Sequence, residues 1–153
     1  MAPRNRTAPP LAGRMLPRPL AGALSSPAVT FVALLALCSA YLQGALTKLF
    51  DFNGALAEMQ HFGLQPAPLF AVGVILFELS MSALVLSGVL RWLGALALAG
   101  FTVLATFLAF RFWELPAGME RAMMTNGFFE HLGLVGAFLL VAIRDVAQRG
   151  GQP

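Results

Sequence analysis

The stretch Leu69–Leu90, LFAVGVILFELSMSALVLSGVL, constrains this chain more than any other. It is apolar from end to end except for one carboxylate, Glu78, near its middle. A bilayer asks for roughly 20 apolar residues in a row, and this run supplies them. On insertion scales an acid at the centre of such a helix costs roughly 2.5–3.5 kcal/mol. The neighbouring Leu, Val, Ile and Phe offset that cost, so the span survives. The acid still needs a partner or a proton.

The rest of the chain fits that setting. Its 153 residues are 58% hydrophobic and 11% charged, against about 25% charged in a soluble domain. That describes an integral, all-α membrane protein whose first partner is the lipid bilayer. The net charge of +3 does not point to nucleic acid, because the basic residues sit at segment ends, where membrane topology accounts for them. A single cysteine, Cys38, excludes an internal disulfide and any CxxC pair; it reads as a small core residue. No phosphate-cradling glycine loop, GxSxG or HExxH occurs, so nothing suggests a nucleotide-dependent or nucleophilic enzyme. Two histidines in separate segments, His61 and His131, give no basis for a metal site.

Taken in order, residues 1–27 carry four arginines, no acids and many prolines, which predicts a disordered basic tail. Those prolines disfavour the amphipathic helix of a transit peptide. Pro27–Lys48 is a first span, too long for a signal-peptide core, and Leu37 stands where a lipoprotein box needs a small residue. Tyr41, Gly44 and Lys48 fall on one face of it. In the outer loop 49–65, Phe52, Leu56, Met59 and Phe62 recur at helical spacing, which predicts a short interfacial helix ended by Gly63. Pro66 and Pro68 open the second span. Arg91-Trp92 leaves room only for a hairpin before a third span, Leu93–Phe110, anchored by Arg111-Phe112-Trp113. Leu115–Thr125 reads as a second outer loop, and Asn126 as the N-cap of a fourth span, Gly127–Ile143. The expected organisation is a tail (1–27), a four-helix antiparallel membrane bundle (28–145) and a short C-terminal tail (146–153).

With the N-terminus inside, inner segments hold Arg4, Arg6, Arg14, Arg18, Arg91, Arg144 and Arg149, and outer ones only Lys48, Arg111 and Arg121. That bias predicts both termini in the cytoplasm. Ala95, Ala97, Ala99 and Gly100 in the third span, and Gly133, Gly136 and Ala137 in the fourth, are the expected close-packing positions.

The intramembrane polar residues carry the functional reading. Glu78 lies about ten residues, roughly 15 Å, below the outer end of its span. Lys48, Arg111, Glu130 and His131 cluster at one outer level, and Asn126 shares a helix face with Glu130. These residues, with Tyr41, are the expected polar network, an outer vestibule leading down to Glu78. Lys48 and Arg111 also read as snorkelling anchors, His131 as a hydrogen-bonded interfacial residue, and a neutral Glu78 as glue between helices.

Several segments together resemble the DoxX family of small four-helix membrane proteins, over residues 31–144. The carriers are GALTKL at 44–49, Gly63 with Pro66, Glu78, Ala105-Thr106, Phe112-Trp113, Phe128-Phe129, Leu132 and Gly136. Two positions depart from the family pattern: Arg111 stands where a histidine is common, and Glu130-His131 where Lys-Asn is common. Lys48 and Glu78 match. The resemblance implies a membrane component of an oxidoreductase system, working with partner subunits, and a quinone as the cofactor to test. It implies a bacterial inner membrane as the location, and it does not by itself make the chain an enzyme.

Two functions of different class follow. One is a redox-associated subunit binding a quinone-like ligand inside the bundle. The other is a non-catalytic scaffold or accessory protein whose polar residues are structural; there Glu78→Leu would leave partners unpaired and destabilise the bundle. Association of the chain with itself is compatible with both, and a four-span transporter is weaker because no inverted repeat is visible.

Overall fold

The computed structural model describes residues 18–151. Six helices occur among them: α1 (Arg18–Leu24), α2 (Pro27–Phe50), α3 (Phe52–His61), α4 (Ala67–Ser87), α5 (Arg91–Ala109) and α6 (Met119–Gly150), with a 3₁₀ turn at Phe112–Glu114. Four of these, α2, α4, α5 and α6, are long and apolar enough to cross a membrane. The chain is an all-α membrane protein. The disordered tail expected at the N-terminus falls largely on residues 1–17, outside the described residues. Within the described part, Arg18–Leu24 is helical. Pro19 stands in the first turn, where its missing N–H costs no helix bond. The chain divides into two units, one ending at Ala33 and one beginning at Leu34. Everything below concerns the second.

Each span turns one stripe inward. On α4 the buried positions are Ala67, Ala71, Ile75, Glu78, Ser82 and Val85. Their three- and four-residue steps define one helix face, so Glu78 is buried because it stands on the core stripe. The core joins Leu34, Cys38 and Tyr41 of α2 to Val85 of α4, Ala95, Leu98 and Ala99 of α5, and Phe138 and Ala142 of α6. Asp51 accepts the Gly54 N–H at 2.9 Å and so caps α3. The buried Ala55 and Met59 of α3 then pack on Ala67 and Ala71 of α4.

The α4–α5 hairpin is tight, as the sequence predicts. Gly88, with φ +80°, ends α4 in the left-handed conformation that favours glycine. The far end of α6 clasps this hairpin. The buried Asp145 accepts the Trp92 N–H at 3.2 Å and the Arg149 Nε–H at 2.7 Å, and Arg149 also donates to the Gly88 carbonyl at 2.8 Å. Trp92 lies in the first turn of α5, where N–H groups have no partner within their own helix. Asp145 therefore caps α5 from another helix.

Two sequence expectations are corrected. The fourth helix begins at Met119, not Gly127, with Gly118 as its N-cap. Much of the expected second outer loop is thus helix, because Met119–Met124 contains only helix-tolerant residues. Asn126 lies two turns inside α6 and caps nothing. The small residues also sort differently. Ala95 and Ala99 are buried, but Gly100, Gly133 and Gly136 have open space where a side chain would stand. Gly94 carries close packing between α4 and α5: an added Cβ would lie 2.8 Å from the Met81 carbonyl oxygen and 2.9 Å from Leu84 Cβ. Gly94→Ala is expected to force α4 and α5 apart and cost about 1–3 kcal/mol. Unfolding of the reconstituted protein measures this; an unchanged midpoint contradicts the tight crossing.

Candidate functional site

A half-open cavity of about 480 Å³ lies among α2, α3, α4, α5 and α6. Its walls are mostly apolar, with Phe70, Val74, Phe101, Leu104, Leu108 and Leu134 among them. Its polar lining comes from Tyr41, Lys48, Glu58, Glu78, Thr102 and His131. Five segments distant in sequence thus share one space.

Glu78 is the unusual member. It is only 6% exposed, and its Oε2 has no hydrogen-bond partner among the described residues. Gly44 of α2 faces it. A Cβ added there would stand 3.7 Å from Glu78 Oε2 and 3.7 Å from Lys48 Nζ. The carboxylate and the ammonium thus approach one another across a helix surface that carries no side chain. Lys48 directs its short contact elsewhere, to Glu58 of α3 at 3.5 Å. That pairing is the physically cheaper one. Glu58 is 42% exposed, so water screens the pair and little desolvation is required.

A second set of polar groups is satisfied within the chain. Tyr41 hydrogen-bonds Thr102, which donates to the Leu98 carbonyl at 2.6 Å. A threonine hydroxyl has one proton, so Tyr41 is the donor in that pair. One turn on, Thr106 donates to the Thr102 carbonyl at 2.5 Å and lies 2.9 Å from His131 Nδ1. By the same count His131 Nδ1–H donates to Thr106, which leaves Nε2 as the acceptor of a neutral ring. Phe110 packs edge-to-face with that ring, with centroids 4.6 Å apart. These bonds fasten α2 to α5 and α5 to α6.

Of the residues expected from sequence, the structure brings Tyr41, Lys48, Glu78 and His131 to one cavity. Arg111, Asn126 and Glu130 are not part of it. Arg111 follows the end of α5 and pairs with Glu114 at 3.3 Å, both half-exposed. Asn126 and Glu130 are exposed, because the inward stripe of α6 runs through Gly127, His131, Phe138, Ala142 and Asp145. Gly127 lies against Phe110, whose ring edge is 2.3 Å from where a Cβ would stand. The expected vestibule is therefore narrower and built differently.

Three contributors escaped the sequence reading. Glu58 stands on α3, and only the fold of α3 over the end of α2 sets it against Lys48. Thr102 and Thr106 stand four apart on α5; that spacing was a visible signal that both line one face. Among the described residues, no three His, Cys, Asp or Glu side chains gather closely enough to hold a metal ion.

The family model described as DoxX matches residues 29–111, more than half of the chain. The match includes Tyr41, Gly44, Lys48, Glu58, Glu78 and Thr102, and stops short of His131. No curated protein and no solved structure matches the chain.

Proposed function

The chain belongs to the DoxX family, and on that premise we propose that it is a membrane subunit of an oxidoreductase system, holding a quinone-like molecule in the cavity beside Glu78. One observation carries the reading: a carboxylate oxygen with no partner, in a residue 6% exposed, faces a cavity of about 480 Å³. That volume falls in the range of small-ligand sites, roughly 300–1,000 Å³. The lining fits such a group. Lys48 offers N–H donors to a carbonyl oxygen, Glu78 Oε2 accepts from a hydroxyl, and the apolar wall suits a ring and tail. A bound quinone would supply two-electron, two-proton chemistry. The chain's own residues orient its head, exclude lipid from it and hold a proton at Glu78 Oε2. Electrons would come from a partner subunit. The arginine bias supports cytoplasmic termini and, in a bacterium, the inner membrane, with the cavity towards the outer face.

The second reading, a non-catalytic scaffold, is favoured by the Tyr41–Thr102 and His131–Thr106 bonds, which join helices and need no ligand. Glu78 separates the two readings, because among the described residues no hydrogen bond of its side chain joins α4 to another helix.

A short-chain benzoquinone at a hundredfold excess over its Kd is expected to stabilise the detergent-solubilised protein by about 2.7 kcal/mol. Gly44→Leu, which places a side chain between Lys48 and Glu78, is expected to remove that stabilisation. No thermal response in the unaltered protein would sink the quinone reading.

A further inference from the structure

The outer surface of α2 carries polar groups that a lipid-facing helix does not need. Ser39, Gln43 and Thr47 stand four residues apart and are all exposed, so they form one stripe. They line a surface groove whose walls include Leu35, Leu42 and Leu46. Ser39 donates to the Ala36 carbonyl at 2.7 Å, and Gln43 Nε2 donates to Thr47 Oγ1 at 2.9 Å. The Gln43 carbonyl oxygen and its second N–H have no partner among the described residues. Gln43 lies seven residues before Phe50, roughly 10 Å from that end of α2 at 1.5 Å per residue. Within a bilayer's hydrocarbon no water replaces a missing partner, and an unsatisfied amide there is expensive. The inward stripe of α2, Leu34, Cys38, Tyr41 and Ala45, is already occupied by the bundle, so no described residue of the bundle is placed to satisfy the amide.

We propose that this stripe is a homodimer interface, in which α2 packs against α2 of a second copy and Gln43 pairs with its own counterpart. The argument for a second copy is self-complementarity. Both copies insert with the same orientation, so the two-fold axis runs along the membrane normal and equal residues meet at equal depth. An amide and two hydroxyls each donate and accept, so Ser39, Gln43 and Thr47 satisfy their own counterparts with no other chemistry required. A stripe of four-residue spacing packs at a right-handed crossing of about −40°. Helices crossing there diverge towards their ends, which keeps Asp51, at the rim of the groove, from its like-charged counterpart. The proposal is independent of the cavity and of what the cavity binds.

Single cysteines test it in membranes, in the full chain with the buried Cys38 replaced by alanine. Ser39→Cys and Thr47→Cys are expected to give an oxidised product of twice the chain mass. Leu76→Cys on α4 and Leu104→Cys on α5, at positions 62% and 73% exposed, are expected to give none. Within Ser39→Cys, adding Gln43→Leu should cut the crosslinked fraction about three- to tenfold, the worth of an interhelical polar contact in lipid, and Gln43→Asn should restore most of it. The proposal is overturned by no dimer from the stripe, by equal dimer from α4 or α5, by a product containing a different protein, or by an unchanged fraction with Gln43→Leu. Gln43 projects from the bundle, so its variants fold as the parent does, and equal monomer yield verifies this.

Discussion

Glu78→Leu is expected to make the ligand-free protein more stable, by about 1–3 kcal/mol, while removing its response to a quinone. The sign follows from the accounting of the carboxyl group. Glu78 is buried on the core stripe of α4, and its Oε2 is unpaired. A buried polar group with no partner costs free energy, and an apolar side chain of similar volume removes that cost. If Glu78 were glue, the same substitution would orphan a donor on another helix and lower the unfolding midpoint. Denaturant unfolding in detergent decides between these. Glu78→Gln is the companion variant: it keeps size and polarity, removes the titratable proton, and is expected to leave the midpoint nearly unchanged. Its affinity for the quinol should fall about five- to tenfold, because a neutral amide oxygen replaces a charged acceptor. A destabilised Glu78→Leu protein, or full binding by Glu78→Gln, would return Glu78 to a structural role.

Asp145→Ala should have the largest stability cost, about 2–4 kcal/mol. It removes the acceptor of the Trp92 N–H and of the Arg149 Nε–H together. The first is a helix cap supplied in trans, worth about 1 kcal/mol. The second is a charge-assisted bond near a helix N-terminus, where an anion is favoured. Arg149 would lose the anchor that sets it on the Gly88 carbonyl, so the hairpin end of α4 and α5 would loosen from α6. Asp145→Asn should retain roughly half of the effect, because the amide oxygen still accepts from Trp92. Arg144→Ala, one residue away and exposed, serves as the control and should be near neutral. An Asp145→Ala midpoint indistinguishable from that control would show that the clasp contributes nothing.

Much of the fold is legible in the residues. Each span shows as an apolar run, and Gly63, Pro66 and the Arg91-Trp92 pair fall where helices end or begin. The short helix α3 follows from Phe52, Leu56 and Met59, because they recur at helical spacing. The start of α6 was not legible. Asn126 has cap chemistry but Gly118 has the position, and local propensity alone does not choose between two permissible starts. Nor was the role of Asp145, a terminal acid like many others until α5 brings an unpaired N–H to it.

The candidate site divides along the same line. Sequence by itself determined that Glu78 stands near the middle of a membrane-spanning helix, that Tyr41, Gly44 and Lys48 share a helix face, and that Lys48 sits near the C-terminal end of its span. Those conclusions need only hydropathy and the 3.6-residue period. Which faces meet was decided by tertiary structure. The rotation of α6 turned His131 inward and left Glu130 and Asn126 outside. The end of α5 carried Arg111 out to Glu114, and the return of α3 supplied Glu58. Helix rotation and crossing depend on side-chain packing between distant segments, and no local spacing encodes it.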